Sequence, residues 1–405
     1  MAKALFIAGT GKDVGKTSTS LALIHLFQKK YERIGYIKPI SQRFVPVADQ
    51  KVGDDPVLIK QVFHLPSDLS AMSPIVVDGD FTEKIINGEI KRSFSRNILT
   101  AFQKIEQESD LIIVEGAGHA GVGAVINQSN ADTARLLNAD VLLVGGGGIG
   151  RAIDKMLLDK AFFEAQGVRV IGVIINKVFQ RKYEKVAPLL KKWFKRERIP
   201  LFGILPYQSA LSWPDLLLIR KATRSEVICS DKRHDIKIER TVIAAKGIDR
   251  VLDDLRRSEK GTLLIVPIDR TDLLFFLVSP YFQKMACSRN IAGVLLSGDP
   301  ESRADIEEIF KDFGAPVFMS SSSAYDLATT IHDLKPKMLL RDESNIAMIK
   351  DLSEQFIDID HLYKHVNAPK DVPERTFLQS LWMFLQDLTG RCMAAIRRVV
   401  HRLIK

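Results

Sequence analysis

Lys16 and Thr17 close a glycine-rich run, Gly9-Thr10-Gly11-Lys12-Asp13-Val14-Gly15-Lys16-Thr17, with Ser18 directly behind it. Small residues in such a turn let backbone N–H groups converge on a phosphate chain, and the free amides of a following helix add positive potential. Lys16 is then placed to reach the β- and γ-phosphates, and Thr17 to offer its hydroxyl to Mg²⁺. The strict spacing asks for glycine five residues before Gly15; that position is Thr10, and Gly9 stands one residue earlier. Gly9 through Ser18 are the expected nucleotide contacts, with ATP and Mg²⁺ as the expected cofactors.

Further positions could complete the site. Lys38 stands before Pro39 at the end of an apolar run, either beside the phosphates or as a surface lysine at a strand exit. Asp54 and Asp55 precede Pro56 and could cap a helix, or one of them could complete a Mg²⁺ shell with Thr17. Glu115 follows the apolar run Leu111 to Val114, where a carboxylate can hold Mg²⁺ or its water. The turn Gly116-Ala117-Gly118 then lets backbone approach a phosphate closely. His119 is either an acid–base group or a loop histidine bonded to backbone. Lys16, Lys38, Glu115 and His119 are thus the catalytic candidates; Thr17, Asp54 or Asp55, and Glu115 are the metal candidates. Asn176 ends another apolar run, and its amide can donate and accept together, which suits a purine base.

These residues need a frame that delivers them to one edge. Ala4 to Ala8, Arg33 to Ile40, Leu111 to Val114, Val141 to Val144, Val168 to Val178 and Leu201 to Leu205 read as short buried strands with helical stretches between them. That pattern predicts an α/β fold with a mostly parallel, P-loop NTPase-like sheet flanked by helices, ligand at the strand carboxyl ends. The glycines 145–148 suggest a wall of the same site or a subunit contact, with Arg151 and Asp154 as substrate or partner contacts. Asn127, Asn130 and Asp132 would line the cleft and start a helix.

At 405 residues the chain exceeds one comfortable core, and its 46% apolar and 26% charged content is that of an ordinary globular protein. No apolar run approaches the about 18 residues of a membrane span, and the N-terminus enters a strand directly; a cytoplasmic location is expected. Cys229, Cys287 and Cys392 have no paired spacing and no metal-ligand pattern. The formal charge of +9 is partly concentrated in residues 181–198 and 391–405, which read as solvated helix faces; nucleic-acid binding is not expected.

In type and order, GTGKDVGKT, YIKP, the Glu115-Gly116-Ala117-Gly118 turn, IINK and GILPY resemble the dethiobiotin synthetase-like P-loop family. The resemblance extends to cobyrinic acid amide synthases and to the N-terminal part of long bacterial phosphotransacetylases, and it covers residues 3–215. It implies that Lys16 and Thr17 hold phosphate and Mg²⁺, that Lys38 lies on the phosphate and substrate side, and that Asp54 or Asp55 and Glu115 complete the metal shell. It also implies that Asn176 reads the base and Pro206 borders the base pocket. Family members use ATP to activate a carboxylate or carbamate as a mixed anhydride. The chain departs from dethiobiotin synthetases at Gly11 and Lys12, at Ser41-Gln42, and at His119 after the glycine turn. Those departures fall on the substrate side.

Residues 216–239 read as a linker or edge region and 240–345 as a smaller α/β domain, with strands at Thr262 to Val266, Ile291 to Leu296 and Pro316 to Met319. Asp269-Arg270-Thr271 resembles the start of the Asp-Arg-Thr-Gly-Gly domain that follows the P-loop domain in long phosphotransacetylases; Asp272 replaces the first glycine. Asp269, Arg270 and Asp272 could bind a polar ligand, or Asp269 or Thr271 could cap a helix while Arg270 pairs with an acid. The sequence ends without the acetyl-transfer domain of those enzymes, so acetyl transfer is not expected of it. Residues 346–405 read as a helical extension, with amphipathic patterns at Phe377 to Leu388 and Arg391 to Lys405 that would pack on the second domain or a twin subunit. A homo-oligomer, a partner protein at the second domain or tail, and at most peripheral membrane contact are the expected associations. The favoured function is a Mg²⁺-dependent, nucleotide-dependent regulatory or metabolic ATPase; the alternatives are an ATP-dependent ligase and a basic structural or nucleic-acid-associated protein.

Overall fold

The computed structural model describes residues 2–370, apart from Asp49, 91–92, 230–235, 259–260 and 300–302. Six short strands form one parallel sheet in the order Leu201–Pro206, Val170–Val178, Asp140–Gly145, Lys3–Gly9, Leu111–Glu115, Ile34–Ile37. Leu5, Phe6, Ile7 and all of Leu111 to Glu115 are fully enclosed, as expected of central strands covered by helices on both faces. All six expected strands are present.

The strand Lys3–Gly9 lies between Leu111–Glu115 and Asp140–Gly145, and the helix Lys16–Phe27 follows it through the glycine-rich turn. Asp54 and Asp55 occupy the first turn of the helix Asp54–Phe63. The basic stretch 181–198 belongs mostly to the helix Gln180–Arg196, which buries Val186, Ala187, Leu190 and Phe194 and turns its lysines to solvent.

The second sheet is mixed. Its order is Glu226–Cys229, Val317–Ser320, Ile291–Ser297, Thr262–Pro267, Arg240–Ile243, with only Glu226–Cys229 antiparallel. Residues expected as linker or edge thus supply the helix Leu216–Thr223, capped by the Asp215 side chain, and the sheet's edge strand. Leu216 and Ile219 pack with Leu263, Ile265, Leu295 and Phe318 in one layer of the core.

After the helix Ala324–His332 the chain returns to the first domain. The helix Glu343–Phe356 packs along Lys16–Phe27, where Glu354 meets His25 at 3.0 Å and Lys29 at 2.6 Å. Chain beyond Ile359 groups separately; its described part continues the helix Ile359–Asn367, in which the His361 and His365 rings meet edge-on at 4.7 Å. The amphipathic patterns expected from Phe377 onward lie outside the described residues.

Candidate nucleotide site

The phosphate loop is shaped by two left-handed residues, Asp13 at φ 58° and Gly15 at φ 95°. A Cβ on Gly15 would lie 2.2 Å from Asn176 Nδ2, so glycine is required there by both conformation and space. Thr10 is not left-handed, and its N–H donates to Val144 O at 3.0 Å; this explains why a side chain is tolerated where the strict motif has glycine. Gly9 makes room for the neighbouring side chains, since a Cβ would come within 2.8 Å of Val14 and 3.0 Å of Lys16 Nζ. Lys16 Nζ donates to Gly11 O at 3.1 Å, and burial lowers its pKa from the ordinary value.

Thr17, Lys38, Asp55 and Glu115 converge although four separate segments carry them. Thr17 Oγ1 lies 2.9 Å from Glu115 Oε1 and 3.1 Å from Asp55 Oδ1. Lys38 Nζ donates to Glu115 Oε1 at 2.8 Å and to Asp55 Oδ2. Tyr36 OH donates to the other Glu115 oxygen at 2.9 Å. Lys38, Asp55 and Glu115 are buried at 8%, 4% and 0% relative exposure, so each charge depends on the others for compensation. Burial opposes ionisation of Asp55, but Lys38 and then Lys337 outweigh it and hold the carboxyl at about 2. Burial likewise works against the Lys38 ammonium, yet Glu115 and Asp55 raise its pKa above the ordinary value. Tyr36 is raised well above its usual value by burial and by the neighbouring Glu115 and Asp55.

A hydroxyl has one proton, and Thr17 Oγ1 sits within hydrogen-bond distance of two carboxylate oxygens. One of those oxygens therefore faces a lone pair, an arrangement that a cation relieves. The donor set, one hydroxyl and two carboxylates, is hard oxygen and fits Mg²⁺, which is ordinarily bound by one or two carboxylates together with substrate phosphates. Among the described residues no cluster of three His, Cys, Asp or Glu would hold a metal unaided. A magnesium here would draw part of its shell from the phosphate.

The Glu115 turn is held by Asn130, whose amide accepts from Ala117 N–H at 3.2 Å and donates to Ala117 O at 2.6 Å and His119 O at 2.7 Å. Gly116 passes too close to Phe6 for any side chain, with a Cβ only 2.6 Å from the ring, and Gly118 is left-handed at φ 62°. Asp132 is used in a reciprocal cap with Ser129 rather than in the cleft. His119 is exposed; its Nδ1 accepts from Gly121 N–H at 3.3 Å, inside its own turn.

A cavity of about 910 Å³ runs from these groups to the exit of the outer strands. Lys12, Asp13, Gly15 to Ser18, Lys38, Asp55, Glu115, Ala117, Gly118, Asn176 and Pro206 all line it; His119, Arg151 and Asp154 do not. Asn176 Nδ2 donates to Val14 O at 3.1 Å and its Oδ1 accepts from Lys177 N–H at 2.8 Å, so the amide braces the phosphate loop. Gly147 packs behind it, where a Cβ would meet Lys177 O at 2.3 Å.

Three contributors had no role in the sequence reading. Tyr36 shares a strand face with Lys38 by the two-residue period, a signal that could have found it. Lys177 Nζ donates to Asp13 O at 2.6 Å, and burial lowers its pKa. Lys337, from far along the chain, lies 3.0 Å from Asp54 Oδ2 and 3.3 Å from Asp55 Oδ2; nothing local to it announces this. In the second domain Arg270 pairs with Asp272 and donates to Ala244 O and Lys246 O, while the helix Thr271–Val278 has no side-chain cap, so neither Asp269 nor Thr271 caps it.

Residues 3–215, the half of the chain that carries this site, match the family model described as AAA domain. The chain belongs to the AAA domain family. Its AAA domain is followed by a match to the DRTGG domain at residues 219–334. The phosphate acetyltransferase of Pseudomonas aeruginosa is 24% identical over 398 residues, covering 91% of this chain and 52% of its own. That of Synechocystis sp. is 25% identical over 407 residues, covering 99% and 56%. The chain spans about half the length of these curated relatives, in agreement with the resemblance to the N-terminal half of long phosphotransacetylases. Among solved structures, the septum site-determining protein MinD of Pyrococcus horikoshii, complexed with Mg-ADP, aligns with a TM-score of 0.33 at 13% identity over 52% of this chain and 84% of its own.

Proposed function

We propose that this chain binds a nucleoside triphosphate with Mg²⁺ and acts as a nucleotide-dependent regulatory ATPase. The observation that carries the reading is the convergence of Lys16, Thr17, Asp55 and Glu115 on one cavity at the carboxyl ends of a parallel sheet. In this reading the loop amides and Lys16 bind the triphosphate, while Thr17, Asp55 and Glu115 hold the metal, which would neutralise charge developing on the transferred phosphoryl group. Lys38 keeps Asp55 ionised inside the fold and bridges it to Glu115. Asn176 positions the loop, and Pro206 with Tyr207 borders the base. His119 has no part in it.

The test is calorimetric titration of ATP and GTP, with and without Mg²⁺, into wild type and Lys16→Ala. Mg²⁺-dependent binding lost in the variant supports the reading; no binding by wild type overturns it. A second reading, an ATP-dependent ligase, draws on the cavity wall formed by Gln42, Arg43, Phe44, Val77 and Asp78, which extends it beyond the phosphate loop. ADP release stimulated by a small carboxylic acid or amine substrate would select the ligase.

A further inference from the structure

Leaving the helix Ala324–His332, the chain contributes Leu334, Lys335, Pro336, Lys337 and Met338 to the lining of the nucleotide cavity. This strap is anchored at both ends. Leu327 and Ile331 are buried in the second-domain core on one side, and the helix Glu343–Phe356 packs on the phosphate-loop helix on the other. Its middle is tied by three ion pairs from two lysines: Lys335 to Asp13 at 3.3 Å, on the phosphate loop, and Lys337 to Asp54 and to Asp55.

We propose that Lys337, held by Asp54 and Asp55, competes with a divalent cation for Asp55, so that binding of a Mg²⁺-nucleotide releases the strap and signals occupancy to the second domain. The inference rests on the nucleotide reading above. Asp54, Asp55 and Glu115 bring three formal negative charges together, and Lys16, Lys38 and Lys337 bring three positive ones to the same cavity. Lys337 Nζ lies 3.4 Å from Asp55 Oδ1, the same oxygen that faces Thr17 Oγ1 at 3.1 Å, so a Mg²⁺ held by Thr17, Asp55 and Glu115 would need the carboxylate oxygen that Lys337 occupies.

Two ammonium groups contact Asp55, and they differ in how firmly they are held. Lys38 is 11% exposed and fixed between Asp55 and Glu115, on the segment that follows a central-sheet strand. Lys337 is 34% exposed and sits on a loop, so its ammonium regains water at little cost. The same competition gives the link its direction: whatever holds the strap on Asp54 and Asp55 weakens cation binding, and by reciprocity cation binding weakens the strap's hold.

The experiment uses the full chain, a non-hydrolysable ATP analogue and Mg²⁺. Calorimetry compares wild type with Lys337→Met, while hydrogen exchange follows the amides of residues 334–341. The expected results are about threefold to tenfold tighter Mg²⁺-analogue binding by Lys337→Met, a shallower dependence on Mg²⁺ concentration, and faster exchange of the strap when wild type binds. Weaker binding by Lys337→Met would make Lys337 a phosphate ligand and overturn the proposal, as would unchanged affinity or slower strap exchange. If wild type binds no nucleotide, the functional reading itself fails; if wild type binds and Lys337→Met matches it, only the competition fails.

Discussion

Thr17, at the start of the phosphate-loop helix, lies 2.9 Å from Glu115, at the end of a central strand 98 residues later. That contact joins the two halves of the candidate site, and Lys38 and Asp55 close around it. Its consequences for binding, stability and pH response can each be measured.

Lys16→Ala should abolish Mg²⁺-nucleotide binding, reducing affinity by at least about a hundredfold, with little change in Tm. Removing a charge-assisted partner of phosphate forfeits roughly 1.5–3 kcal/mol per hydrogen bond, and Lys16 makes its present bond only to Gly11 O. Calorimetry alongside thermal denaturation separates the two effects; retained affinity would refute the role.

Lys38→Met should destabilise the fold by roughly 3–5 kcal/mol, because it strands buried Asp55 and Glu115 without their shared cation. Adding Glu115→Gln to Lys38→Met should recover part of that loss. Urea denaturation of the single and double variants gives the comparison, and a double variant less stable than Lys38→Met would count against the charge argument.

Stability should be flat near neutral pH and fall on both sides. Asp55 is held at about 2, below its ordinary 3.8, so its contribution is present above pH 3.8 and is lost as pH falls toward 2. The loss is on the order of 2 kcal/mol. Lys38 is raised above its ordinary 10.5, so the pair's contribution is complete below that pH and is lost as pH rises beyond it. These are two ends of one interaction and do not add. Denaturation across pH should show the acid loss in wild type and a smaller one in Asp55→Asn.

Gly15→Ala and Gly11→Ala should differ sharply. Gly15 combines φ 95° with a 2.2 Å approach to Asn176, whereas a Cβ on Gly11 meets nothing within 4 Å. Thermal denaturation should show a cost of roughly 1–3 kcal/mol for the first and less than about 0.5 kcal/mol for the second. Equal effects would mean the loop is not held in this conformation.

His119→Ala should leave nucleotide affinity within about twofold of wild type, since the exposed ring accepts only from Gly121 N–H, a net interaction near 1 kcal/mol or less. A large loss would restore it to the site.

Most of the first domain was legible because its signals are local. A parallel strand covered on both faces must be apolar throughout, as Leu111 to Val114 is, and a loop that approaches phosphate needs glycine at its tight positions, as at Gly9 and Gly15. Glu115 and Lys38 could be placed because strand ends in such a sheet share an edge. Asp55 over Asp54 could not be chosen in advance: they are neighbours on one helical turn, and only packing decides which is buried, 4% exposed, against Thr17 and Lys38. The edge strand Glu226–Cys229 was hidden because it is half-exposed and gains its partner from Val317–Ser320.

The sequence by itself determined the phosphate loop, the order of the parallel strands' contributors and the succession of two α/β domains, because periodicity and glycine placement are properties of neighbouring residues. Only the tertiary structure decided that His119 turns away, that Tyr36 donates to Glu115, and that Lys337 reaches Asp54 and Asp55. The last two are contacts between residues distant in the chain, fixed by the balance of buried charge and available space that no local pattern encodes, and the orientation of His119 is set by the packing around its turn.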